Sequence, residues 1–476
     1  MLHAILKMGV KVQIKLPVVR FTEAVGVGWV SDANGEHKEQ AMKRFFKYTI
    51  PSILSMWVFA LYTMVDGYFV ANYVGETGFS AVNISMPVIT SFFALGILLS
   101  IGTQAKAGFS LGRKNIREAN EVFTVGFAAL AVLGVIYTVL LHIFLHPLTF
   151  LLGANEQTYV YVKEYLHVLI FFGVFFMTTY QLEVLVKVDG FPQFATISVL
   201  VAALTNLVLD YLFIVPLQMG VFGAGLATGI AQVVSTLLLL FHFSKKKGRL
   251  NFVRKINLSH LKTVLPIGAG DALSEIAIGY TVFLFNTTLL KLLGQDGIVI
   301  YTVISYISVF AQVTMTGVAQ GLAPLFSYDY GRRSFSSIRD SLVGGFTFIT
   351  LITAVFLVIA YCFPLPVVDI FLQEGSGLRD STVKALIKYS SSYLFIGYNI
   401  FMVTFFASLG KGRIAIFLSL LRTPILVTCV MFLYETFSGG NVIWYVLTFS
   451  EGLTALVAAF FLTRYILLPL QMDKDM

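Results

Sequence analysis

Two stretches constrain this chain more than any motif in it: residues 50–65 and 123–141 contain no charged side chain. A helix needs roughly 20 apolar residues to cross ~30 Å of hydrocarbon. Lipid offers no partner to backbone N–H and C=O groups, so such a stretch must close its hydrogen bonds within itself, as a helix does. Comparable blocks recur along the whole chain. Hydrophobic residues make up 57% of it and charged residues only 12%, against about a quarter in soluble domains. Too little polar sequence remains to clothe a soluble helical protein of this length. The expected fold class is an all-α polytopic membrane protein.

Twelve transmembrane helices are expected, near residues 49–74, 80–104, 121–145, 160–186, 192–214, 221–243, 262–291, 297–326, 340–363, 384–408, 412–435 and 441–466. Short breaks separate them, among them Gly75-Glu76-Thr77-Gly78, Gly190-Phe191-Pro192 and Gly294-Gln295-Asp296-Gly297. Lys and Arg in short loops mark the cytoplasmic side. Alternate loops carry Lys43, Arg44 and Lys47, then Arg113, Lys114 and Arg117, then Lys245 to Lys247, then Arg332 and Arg333, then Lys411 and Arg413. The opposite loops are nearly bare, with Lys291, Arg379 and Lys384 near their helix ends. Both termini are expected in the cytoplasm, in a chain of the inner (plasma) membrane acting as a monomer. The formal charge of +8 follows this topology and gives no reason to expect a nucleic-acid partner; the lipid bilayer is the expected partner. Cys362 and Cys429 lie in apolar segments and read as inert fillers.

Residues 1–41 differ. Lys7, Lys11, Lys15 and Arg20 interrupt every apolar run there, so no signal-peptide core forms. This segment is expected to be a loosely ordered extension, with Met42 a natural alternative start. A first lobe of six helices (42–244), a cytoplasmic inter-lobe loop (245–261) and a second lobe of six helices (262–476) complete the expected division.

The two lobes align. Gly75 to Gly78 match Gly294 to Gly297 at an offset of 219 (294 − 75), and Gly112-Arg113-Lys114 match Gly331-Arg332-Arg333 at the same offset. Gly190 matches Gly410 and Ala195 matches Ala415, at 220. Six helices per repeat give both halves one orientation. They are expected to be two bundles related by a pseudo-two-fold axis along the membrane normal, with a cavity between them.

The repeat is an internal control, because a polar residue kept for the scaffold should recur in both halves. Asp66 aligns with Phe285, Asn206 with Leu426, Asp210 with Val430, Glu275 with Met56, Asp271 with Ser52 and Glu183 with Val403. A mid-membrane charge costs ~3 kcal/mol or more, and such residues usually line pathways. Asp66 lies 17 residues (66 − 49) into its span and Asp210 lies 18 (210 − 192) into its own; Thr228 lies 7 (228 − 221) into a span entering from the other side. At ~1.5 Å per residue the three share one depth in the outer part of the bilayer. Asn206 and Asp210, four apart, share a helix face. These four are the candidate cation-coupling and substrate site, able to hold H+ or Na+. Thr228 aligns with Thr448 and also reads as scaffold. Glu275 and Glu183 are secondary cavity candidates, although Glu183 and Lys187, four apart, could simply neutralise each other. Asp271 is near the cytoplasmic end, where water could solvate it. Arg422 and Glu451 could pair.

No Gly-x-x-x-x-Gly-Lys-[Ser/Thr] loop occurs, which argues against an ATP-driven pump within this chain. Gly268-Ala269-Gly270-Asp271 and Tyr328-Asp329 resemble the two motifs of intramembrane aspartyl proteases, but in the reverse order, and Asp329 is expected in a loop beside Arg332. That enzyme reading is a minor alternative.

The chain resembles the multidrug and toxic compound extrusion family over residues 43 to 466. The resemblance rests on Met64-Val65-Asp66-Gly67-Tyr68-Phe69-Val70, on Asn206-Leu207-Val208-Leu209-Asp210, on residues 220–228, and on residues 317–324 leading into Tyr330-Gly331-Arg332. It departs at Ala323, where the family usually has Gln. The resemblance implies a transporter, not an enzyme: a cofactor-free antiporter exporting small organic cations in exchange for H+ or Na+. By position it assigns Asp66, Asn206, Asp210 and Thr228 to the first-lobe cation site and Glu275 to a second-lobe acid. The acid that other branches carry on the tenth helix is absent, with Tyr398 and Asn399 in that region. A flippase for lipid-linked saccharides is the alternative within the same superfamily. Its anionic cargo wants a basic cavity, whereas six intramembrane acids here face only Lys187 and Arg422.

Overall fold

The protein was analysed as a computed structural model, which describes residues 35–372, 376–437 and 442–467. All the elements it describes are helical. Five spans of the first half are α1 (Glu39–Val74), α2 (Glu76–Gly112), α3 (Ile116–Ile143), α5 (Pro192–Ile214) and α6 (Gly220–Ser244), and α4 is the bent pair Tyr159–Phe171 and Gly173–Val188. The second half begins with a continuous stretch, Leu258–Gly331. It is two helices, α7 and α8, meeting at Gly294, whose φ of 65° and ψ of −151° no helix contains. Then follow α9 (Phe335–Cys362), α10 (the bent pair Arg379–Ser390 and Tyr393–Ser408), α11 (Gly412–Leu433) and α12 (Ile443–Ile466). Splitting α7 from α8 and counting each bent pair as one span gives twelve, six in each half.

The backbone repeats as the sequence does. Gly75 and Gly294 both have positive φ, 96° and 65°, as do Gly190 and Gly410, at 102° and 73°. A side chain at these turns would be strained, which is why both copies keep glycine. Lys114 and Arg333, also 219 apart, are left-handed at 61° and 58°. The bends recur too: α4 turns by 49° and α10 by 45°. A short helix, Leu145–Leu151, precedes α4 as Pro364–Asp369 precedes α10.

Two expectations need correction. The first helix begins at Gly35, not after residue 41; Glu39 and Lys43, one turn apart, pair at 2.5 Å within it. The remainder of the expected extension, 1–34, lies outside the described residues. The inter-lobe loop, for its part, is tied to the first lobe. The Asp189 carboxylate accepts from the backbone N–H groups of Arg249 and Leu250 at 2.5 and 2.8 Å, Asn120 and Thr124 accept from Asn251 and Val253, and the Phe252 ring lies tilted against Phe123 at 4.5 Å. Asp329 is not a loop residue: it closes the last turn of α8 and is fully buried.

The lobes join on the face that carries the basic loops. A Cβ on Gly112 would strike the Tyr328 carbonyl, and one on Gly331 would strike the Phe109 carbonyl. These contacts are each other's image under the repeat (109 + 219 = 328), so the pseudo-two-fold axis passes between them. Further along, α2 meets α7 at Gly102 and Gly268, and α8 meets α1 at Gly317 and Gly321, each with backbone against backbone. One apolar cluster spans both halves here, with Phe45, Ile53, Ile97 and Ile101 packed among Ile267, Val318, Leu322 and Phe326.

Candidate functional site

Pro51 and Thr196 fix the height of the site. The Thr196 hydroxyl donates to the Pro51 carbonyl at 2.7 Å and accepts from Ser55 Oγ at 3.0 Å, tying α5 to α1 near the basic face. Asp66 lies 15 residues (66 − 51) beyond that tie and Asp210 lies 14 (210 − 196). At ~1.5 Å per residue both helices climb about the same ~22 Å, and the two carboxyl groups meet side chain to side chain. Asn206, one turn below Asp210, lies beside it and donates through Nδ2 to Thr228 Oγ1 of α6 at 3.2 Å; Thr228 in turn donates to the Ala224 carbonyl at 3.0 Å. Asp66, Asn206, Asp210 and Thr228 are all buried. The structure therefore brings the four expected residues together inside the first lobe.

Their satisfaction is uneven. Asp66 Oδ1 and both carboxyl oxygens of Asp210 are buried without a hydrogen-bond partner. Buried polar atoms nearly always find one, and a buried carboxylate without a cation or proton is costly. Up to three free oxygens beside an amide and a hydroxyl form a hard-cation donor set. Two tyrosines escaped the sequence reading: Tyr62 and Tyr165 lie within electrostatic reach of both carboxyls. Tyr62 was findable, four residues before Asp66 on the same face. Tyr165 had no signal, since only the packing of α4 brings it there.

Glu275 and Glu183 do not join this site. They lie on α7 and α4, and with Asp271 they are within electrostatic reach of Tyr180 of α4, whose hydroxyl accepts across the lobe boundary from Gln320 of α8 at 3.3 Å. Glu275 is half-buried. Glu183 pairs with Lys187 at 2.9 Å, and Lys187 is 1% exposed. Asp271 is half-buried: its Oδ1 accepts from Thr404 of α10 at 2.9 Å, and its Oδ2 is buried without a partner. The glycines before it serve close packing, Gly268 against Leu98 and Gly270 against Ala415. Arg422 and Glu451 do pair, at 2.6 Å.

The second lobe has nothing acidic where the first has its carboxyl pair. Phe285 occupies the place of Asp66, fully buried and stacked on Tyr301 at 4.9 Å. Thr448, the counterpart of Thr228, bonds to Ser391 at 2.6 Å.

A family model described as MatE matches residues 51–212 and 275–433, one block in each lobe. The multidrug export protein MepA of Staphylococcus aureus (strain NCTC 8325 / PS 47) is 24% identical over 429 residues, 88% of this chain and 93% of MepA. MepA of Staphylococcus saprophyticus is 23% identical over 426 residues, with the same shares. Among solved structures, an outward-facing conformation of a multidrug resistance MATE family transporter of the MOP superfamily superposes with a TM-score of 0.85 at 20% identity, over 90% of this chain and 96% of that one. A MOP superfamily transporter from Pyrococcus furiosus Vc1 (DSM3638), described by the reverse polarity of its binding pocket, superposes with a TM-score of 0.84 at 21% identity over the same shares. At these identities the solved structures speak to the fold alone.

Proposed function

Because the chain belongs to the MatE family of multidrug efflux transporters, we propose that it is a secondary antiporter that exports lipophilic organic cations in exchange for H+ or Na+ by alternating access. One observation carries the reading: the Asp66–Asp210 pair, with three of its four oxygens unpartnered, in one lobe only. Two adjoining carboxyls in low dielectric do not both stay ionised without a counter-ion. A proton, a sodium ion and a lipophilic cation therefore compete for one charge site. An incoming H+ or Na+ neutralises the pair and weakens the hold on cargo. The driving force is ~2.3 kcal/mol per charge per 100 mV, plus the ion gradient.

Charge balance supports cationic cargo over the lipid-linked saccharides of a flippase. Of the eight intramembrane charges, Glu183–Lys187 and Glu451–Arg422 cancel. Asp66, Asp210, Asp271 and Glu275 remain, all acidic. Aromatic side chains, 14% of the chain, supply the faces on which flat cations stack. The basic loops on one face support a cell-membrane protein with both termini cytoplasmic. The lobes then meet on the cytoplasmic side.

The seal on that side includes a charged latch. Asp329 of α8, 1% exposed, accepts from Arg44 of α1 at 2.9 and 3.0 Å and pairs with Arg332 at 2.9 Å. Arg44, Arg249 and Arg332 all stand over the Tyr328 ring, 5.6 to 5.8 Å from its centre. Turning inward separates Arg44 from Asp329 but leaves Arg332 beside it, so the acid is never left wholly uncompensated. Dye efflux from inverted vesicles, driven separately by a proton and a sodium gradient, tests the function. Export driven by either gradient supports it, and export under neither removes it.

A further inference from the structure

The second lobe contains a buried ion pair at positions that are uncharged in the first lobe. Arg422 of α11 donates through Nε to Glu451 Oε1 at 2.6 Å, and their side chains are 11% and 4% exposed. Asn399 of α10 donates through Nδ2 to Glu451 Oε2 at 2.7 Å and to the Glu451 carbonyl at 2.8 Å. Both carboxylate oxygens are thus occupied, unlike those of Asp66 and Asp210. The group lies near mid-membrane: Arg422 is 10 residues into α11 (422 − 412), and Glu451 is 8 into α12 (451 − 443). At an offset of 220, Ala202 and Ala231 stand where Arg422 and Glu451 stand, and Thr179 where Asn399 stands. A six-helix lobe of this fold therefore assembles without the pair, and scaffold need does not account for it. Arg422 also sits in a π-helical segment, Leu421–Ile425, a local widening that often marks function.

We propose that Arg422 is the resident cation of the second lobe. It occupies the Glu451 carboxylate, so this carboxylate takes no exchangeable H+ or Na+, and the second-lobe core adds no coupling ion to those of the first. The physical reason is that a guanidinium does not give up its proton in a protein. A carboxylate in low dielectric that already holds a fixed cation, with its other oxygen on an amide, offers nothing to a second cation. Tyr389 of α10 lies within electrostatic reach of Glu451, but a neutral phenol does not compensate a carboxylate. The half-buried Glu275 of α7 lies outside this core. The proposal rests on the antiport reading above, since only an exchanger has an ion count to set.

The consequence is a site that mutation should uncover. Arg422→Met leaves Glu451 beside Asn399 with no cation, and an exchangeable one should enter. Purified protein is titrated for proton uptake in weakly buffered detergent across the neutral range, and for binding of radioactive sodium. Arg422→Met should bind one cation more per chain than the unmodified protein, and Arg422→Met/Glu451→Met should lose that gain. No gain in Arg422→Met overturns the proposal, as does a gain that survives in the double variant. Should Arg422→Met fail to fold, Glu451→Gln decides: it should leave the cation count of the unmodified protein unchanged, and a drop would overturn the assignment. An unmodified protein that binds no exchangeable cation would defeat the antiport reading separately, because the comparison of Arg422→Met with the double variant reads out regardless.

Discussion

The two lobes share their turns, bends and short helices but treat charge in opposite ways. In the first, Asp66 and Asp210 adjoin with oxygens unpartnered; in the second, Phe285 stacks on Tyr301 at the equivalent place, and the buried acid Glu451 is fully partnered. One backbone built twice, with and without the acids, shows that the fold does not require them. Open carboxyls suit a site where ions come and go, whereas a closed ion pair suits a lobe that stays neutral while it moves.

The sharpest way to break this contrast is to make the first lobe as inert as the second. Asp66→Asn should abolish coupled export, a loss of at least about a hundredfold if the charge contributes ~3 kcal/mol to holding the ion. The protein should still fold and insert, because Phe285 fills the same position in the second lobe. Export at the normal rate with normal expression would remove the site assignment. Asp210→Asn should in addition flatten the pH dependence of drug binding, since the coupled pair no longer exists.

Next in size is the latch. Asp329 aligns with Ser110 (329 − 219), so here too one half carries a charge its counterpart lacks. Asp329→Asn should leave Arg44 facing a neutral amide in place of its carboxylate and shift the population towards the inward-facing state, by roughly tenfold for each ~1.4 kcal/mol lost. Labelling of a cysteine introduced beside Gly112, from the cytoplasmic side, should accelerate. An unchanged labelling rate would mean that apolar packing alone holds the seal.

A smaller effect is expected from Asn206→Leu, which copies the second lobe. If sodium is the coupling ion, losing the amide oxygen should weaken sodium binding by about tenfold; with a proton as the ion, drug affinity should hardly move. Drug affinity measured with and without sodium separates the two.

The smallest effect concerns the face opposite the basic loops. In the second lobe Arg379 grips Asp369 at 2.6 and 2.7 Å, and the guanidinium holds that carboxyl below its ordinary value. In the first lobe Phe150, the counterpart of Asp369 (369 − 219), stacks on Tyr159 at 5.0 Å instead. A lowered carboxyl stabilises above the ordinary carboxylate range and stops doing so as pH falls through its folded value. Hydrogen exchange around residues 364–372 should therefore quicken in acid, and Asp369→Asn should remove that acid sensitivity while leaving transport intact. Equal acid sensitivity around residues 145–152 would show that the ion pair is not the cause.

Much of this was legible in the sequence because the bilayer leaves few choices. Uncharged blocks of helical length and glycines repeating at an offset of 219 pointed to twelve helices in two related halves. Asp66, Asn206, Asp210 and Thr228 were findable because helical rise is constant, so counting residues measures depth. Tertiary structure decided what depth cannot: which faces turn towards each other. It brought Tyr165 to the acid pair, bonded Asp271 to Thr404 and seated Asp329 under Arg44 across the lobe boundary. It also closed Arg422 onto Glu451. Such contacts depend on how helices rotate and cross, and a linear count of residues carries no information about rotation between helices far apart in the chain.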